Sequence, residues 1–91
     1  MFTLDECQSI IKALPSSFDS HEFIRVGALL YPSSYLDMIR GYEGNFTTVD
    51  ALIGSFLLRN AAQLGIQKVA EQVTETIVGT QGKCALWNKS K

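Results

Sequence analysis

One short phrase recurs three times in this chain, and it constrains where helices can begin. Phe2-Thr3-Leu4-Asp5-Glu6, Phe18-Asp19-Ser20-His21-Glu22 and Phe46-Thr47-Thr48-Val49-Asp50 each place an aromatic before a small capping residue, with an acid three positions after the cap. In the first two, the cap oxygen can accept the amide hydrogen three residues on, and the Glu can reach back to the cap's own amide. The third ends in Asp, whose shorter reach makes a weaker box. Each Phe can fold onto the fourth helical residue, which is Cys7, Phe23 or Ala51.

The intervals between these starts read as helices. Leu4, Cys7, Ile10, Ile11 and Leu14 recur at helical spacing, and Pro15 stops that run. Ser16-Ser17 form a short link. A second helix follows Asp19 and closes at Pro32, because proline disfavours helical geometry in the residue before it. Pro32-Ser33-Ser34 opens a third, with Tyr35, Leu36, Ile39 and Tyr42 as its apolar positions, ended by Gly41, Gly44 and Asn45. Val49, Leu52, Ile53, Phe56, Leu57 and Leu64 make one stripe over a long fourth helix, residues 48–64, with Gly65 as its C-terminal cap.

Beyond Gly65 the composition changes. Val69, Val73, Thr74, Thr76, Ile77 and Val78 form a β-branched cluster suited to a strand. Gly79-Thr80-Gln81-Gly82 reads as a turn and Lys83–Lys89 as the return strand. Ile66, Val69, Ala70 and Val73 also fit a helical period, so 66–73 stays open between strand and helix. The expected fold class is α+β and mostly helical: four helices followed by a C-terminal β-hairpin, in one domain spanning 1–91. With 91 residues and 46% hydrophobic content the chain can bury one small core.

Three helices followed by a hairpin, over residues 19–90, is an order that resembles the winged helix-turn-helix superfamily. The resemblance implies a supporting helix at 20–31, a helix-turn-helix from 33–42 and 48–64, and a wing at 66–90, with the helix at 4–14 as an addition. It also implies DNA binding, since the second helix of the pair commonly enters the major groove. Thr47, Thr48 and Ser55 could serve phosphates. Asp50 would repel them, and Arg59 is the helix's only cation, three turns in. Lys68, Lys83 and Lys89 on the wing would supply sequence-independent attraction. Residues 1–46 hold six acids and three Lys/Arg, a balance of −3, whereas 47–91 hold three acids and five Lys/Arg, a balance of +2.

The same helix supports a second reading. Opposite its core stripe lie Ala51, Gly54, Ser55, Leu58 and Ala62, a small apolar face almost free of charge. Solvated helix faces normally carry Glu, Lys, Arg or Gln. The face would be covered by the helix at 4–14 or by another subunit, which makes a homodimerisation or protein-interaction module the alternative to DNA binding. Charged residues make up only 19% of the chain, consistent with some covered apolar surface.

The inventory argues against an enzyme. His21 is the single histidine, in the first turn of a helix, where a surface or capping role is expected. Cys7/His21 and Cys84/His21 are the two nucleophile pairs the composition allows, and neither cysteine lies in a nucleophile motif. Two separate cysteines and one histidine lack the paired spacing of a zinc site, so no metal and no cofactor are expected. Gly79 and Gly82 lack the strand–loop–helix context of a phosphate loop, and no small-molecule substrate is indicated. Trp87 is expected to anchor the hairpin on the helices. Without a signal-peptide pattern or an apolar run of membrane-spanning length, the expectation is a cytoplasmic protein with free thiols.

Overall fold

The computed structural model describes residues 1–90. It is α+β: α1 (Leu4–Ala13), β1 (Ser17–Asp19), α2 (Ser20–Leu30), α3 (Pro32–Gly41), α4 (Phe46–Arg59), α5 (Ala61–Leu64), β2 (Ile66–Glu75) and β3 (Gln81–Lys89). The first two capping boxes form as the spacing requires. Thr3 Oγ1 accepts from the Glu6 amide at 3.0 Å, and Glu6 Oε1 accepts from the Thr3 amide at 3.0 Å. Asp19 and Glu22 repeat the exchange at 2.8 and 2.9 Å.

The third box does not form. Asn45 caps α4 instead, its Oδ1 accepting from the Thr48 amide at 3.0 Å, so Phe46 is already helical and Asp50 is free of any capping role. The long helix expected at 48–64 is divided at Asn60. That side chain donates to the Phe56 carbonyl at 2.8 Å, ending α4, and a single turn, α5, follows. Gly65 takes a left-handed conformation with φ of +71°, which closes α5 and turns the chain into β2.

Residues 66–75 are strand, which resolves the ambiguity over 66–73. The hairpin turn falls earlier than Gly79–Gly82. Thr76, Ile77 and Val78 lie in it rather than in the strand, because the Thr76 amide donates to the Thr80 carbonyl at 2.7 Å and the two hydroxyls meet at 2.8 Å. Gly79, at φ +88°, supplies the left-handed corner. Val69 is an extra residue in β2, between Lys68 and Ala70 in the register with β3.

The sequence reads Ser17 as part of a link and Phe18-Asp19 as the aromatic and cap of α2, and gives no sign that these three residues are also a strand, β1. Ser17, Phe18 and Asp19 pair antiparallel with Asn88, Trp87 and Leu86, giving a three-stranded sheet of order β1-β3-β2. Phe18 and Trp87 face each other across that pair, both sealed from solvent. The Trp87 indole donates to Ser20 Oγ at 2.9 Å, fastening the central strand to the start of α2. Trp87 is thus the anchor the sequence suggested.

One core joins all the layers. Phe2, Cys7, Ile10 and Leu14 from the N-terminal segment pack with Phe23, Ile24, Val49, Ile53, Leu57 and Trp87. Phe2 and Phe23 meet edge to face at 6.0 Å between ring centroids. α1 packs on α2 and α5 and so belongs to the core itself. The outer face of α4 is not covered from within: Ala51 and Ser55 are exposed and Leu58 is 56% exposed. No described helix is long and apolar enough to cross a membrane.

Candidate functional site

The outer face of α4 and the hairpin enclose a cleft of about 440 Å³. Thr47, Ala51, Gly54, Ser55 and Leu58 line it from α4, and Lys68, Glu71, Lys83, Cys84 and Ala85 line it from the strands. Both sets of residues singled out from the sequence therefore converge here, though incompletely. Thr48 is half-buried in the first turn of α4 and is not part of the lining. Arg59 is exposed at the far end of the helix. Ala62 and Lys89 line a separate groove between α1, α5 and the end of β3. There Lys89 Nζ donates to the Leu14 carbonyl at 2.7 Å, which occupies that ammonium at the C-terminal end of α1.

The two cleft lysines share one acid. Lys68 Nζ lies 2.9 Å from Glu71 Oε2 and Lys83 Nζ 3.8 Å from Glu71 Oε1. The hydrogen bond and charge of Lys68, with a smaller contribution from Lys83, hold the Glu71 carboxyl below its ordinary range. These pairs are largely solvated, so they are readily exchanged for other partners.

Asp50 departs from the role expected of it. It lines the cleft, but its Oδ1 is sealed from solvent and has no hydrogen-bond partner. Burial pushes its carboxyl above the ordinary range, while the neighbouring His21 pulls the other way. The Tyr35 hydroxyl on α3 is also buried without a partner, and burial together with the Asp50 charge raises it to about 12.

His21 is not a surface residue. It is 4% exposed at the base of the cleft, because β3 runs across the first turn of α2. Gly82 lies beside the ring: a Cβ there would meet His21 Cε1 at an ordinary contact distance of 3.5 Å and Thr76 Cγ2 more tightly, at 3.2 Å. His21 Nδ1 shares a hydrogen bond with Thr74 Oγ1 at 2.8 Å, and that hydroxyl lies 3.4 Å from Cys84 Sγ. Of the two nucleophile pairs, the fold brings together Cys84 and His21, with the Thr74 hydroxyl between them. Cys7 stays in the apolar core, where burial, helped by the Glu6 charge, raises its thiol to about 11.

Asp19, His21 and Cys84 place their ligating atoms within 4.8 Å of one another. Sequence spacing carried no signal for this grouping, since Cys84 reaches it only through the hairpin. No protein-family model, curated protein or solved structure matches the chain.

Proposed function

We propose that the chain is a non-catalytic, winged-helix-like DNA-binding domain that holds duplex phosphates in the cleft between α4 and the hairpin, in a regulatory or DNA-maintenance role. The observation that carries this reading is the cleft itself. The helix and the wing, which the reading needs side by side, line one concavity. Its walls carry Lys68 and Lys83 together with the hydroxyls of Thr47, Ser55, Thr76 and Thr80. Lysines and hydroxyls are the usual phosphate-positioning groups. Asp50, whose charge opposes phosphate, lines the cleft with one oxygen buried. With no Arg, Asn or base-reading Gln on the α4 wall, binding is expected to be sequence-independent.

The test is anisotropy with a labelled duplex at rising salt. Two cleft lysines correspond to a slope of about −2 in log K against log salt. Lys83→Glu should flatten that slope by about one unit or abolish binding. Absence of binding at low salt refutes the reading.

A second reading, a protein-interaction module, rests on a separate observation. The cleft's formal charges balance, Lys68 and Lys83 against Asp50 and Glu71, and Leu58 stands 56% exposed among small residues. Under this reading the chain self-associates in light scattering, Leu58→Glu makes it monomeric, and duplex DNA has no effect.

A further inference from the structure

We propose that the base of the cleft is a site for one transition-metal dication of the zinc class, held by Asp19, His21 and Cys84. This proposal does not depend on DNA binding. It starts from the concentration of ligand chemistry in an otherwise apolar interior. Asp19 and His21 are 5% and 4% exposed, and Cys84 is half-buried at the cleft wall. Carboxylate oxygen, imidazole nitrogen and thiolate sulfur are the three ligand types zinc takes. Their ligating atoms lie within 4.8 Å of one another. Bond lengths of about 2.0–2.3 Å put tetrahedral ligands roughly 3.3–3.8 Å apart, so modest side-chain rotation closes the set.

Each ligand can be released without dismantling the fold. Asp19 Oδ1 is occupied by the α2 cap, but Oδ2 is held only by Gln72 Nε2 at 3.1 Å. Gln72 is the residue opposite Cys84 across the hairpin. The Thr74 hydroxyl, which bridges His21 and Cys84, gives up its place by turning about χ1.

A second observation points to a cation. Asp50 lines the same cavity from α4, close enough to His21 to feel its charge, and its buried Oδ1 has no partner. That carboxylate adds a negative charge beside the three ligands, which favours a cation there. A dication bound to Cys84, His21 and Asp19 ties β3 to the start of α2. On binding, the Cys84 thiol loses its proton to solvent through the cleft and the thiolate becomes the ligand.

Cobalt(II) alone, titrated into EDTA-treated protein, tests this directly. The expected result is a sulfur-to-cobalt charge-transfer band that saturates at one ion per chain and is displaced by zinc. Cys84→Ser should remove the band, and Cys7→Ala should keep it. His21→Gln should weaken binding by tenfold or more, with folding checked by circular dichroism. Zinc should also raise the melting temperature of the wild-type protein, which provides a readout free of any variant. No band at excess cobalt, or a band that survives Cys84→Ser, overturns the proposal. Zinc binding without DNA binding leaves this site standing and refutes the functional reading above, and DNA binding without zinc does the reverse.

Discussion

Trp87→Phe tests how firmly the hairpin is seated, and the structure sets its magnitude. Trp87 is 1% exposed, and its indole donates to Ser20 Oγ at 2.9 Å. Phenylalanine removes about 40 Å³ of side chain, which at roughly 24 cal/mol per Å³ costs about 1 kcal/mol. It also leaves the Ser20 hydroxyl, itself 4% exposed, without its partner. An orphaned buried polar group costs about 1–3 kcal/mol. The total is about 2–4 kcal/mol, a fall of roughly 10–30 °C in melting temperature for a domain of this size.

Ser20→Ala orphans the indole instead and should cost about 1–3 kcal/mol on its own. The decisive measurement is the double variant in urea denaturation. With donor and acceptor both gone, neither is left unsatisfied. The combined cost should fall short of the sum of the two single costs by about 2 kcal/mol or more, since both orphan penalties vanish together. Additivity within about 0.5 kcal/mol would show that the 2.9 Å contact does not couple β3 to α2.

Asn45→Ala should destabilise by about 1 kcal/mol in urea denaturation while Thr47→Ala changes little, because Asn45 is the observed cap of α4; equal losses would restore the Thr47 box. A disulfide reagent such as DTNB should label Cys84 in the native protein and Cys7 only on unfolding, and prompt reaction of both would contradict the burial of Cys7. Cys7 also sets an alkaline limit. Its thiol, raised to about 11, keeps its proton when folded while the unfolded chain releases it, so stability should fall as pH rises from about 9 to 11. A flat urea midpoint across that window would exclude the effect. Glu71→Gln should release Lys68 and Lys83 and tighten duplex binding at low salt, with the gain vanishing at high salt; unchanged affinity would remove the cleft lysines from the interface.

What could be read from the sequence divides by distance along the chain. The boxes at Thr3/Glu6 and Asp19/Glu22 are three-residue events, and Gly65 needs only its own backbone angle, so local chemistry specified them. The hairpin was legible from β-branched content, but its turn was misplaced. Thr76 and Thr80 close the loop through their hydroxyls, a role that composition alone does not separate from strand preference. β1 was invisible for a different reason. Three residues cannot display a period, and what makes them a strand is the pairing with Trp87 and its neighbours.

The cleft was half legible for the same reason. A charge-free face on α4 is a property of one helix, and the structure leaves that face open as a cleft wall. Asp50 was assigned two roles from local spacing, cap-box acid and phosphate repeller. The first does not hold, because Asn45 takes the cap; the carboxylate lines the cleft with one oxygen buried, and has Tyr35 of α3 and His21 of α2 as its electrostatic neighbours. His21 was misread likewise, since the first turn of a helix is normally wet unless another element crosses it, as β3 does here. A polar group's role is decided by what desolvates it. In this chain the desolvating residues for Asp50, His21 and Cys84 come from other elements, so spacing rules could identify the residues but not their partners.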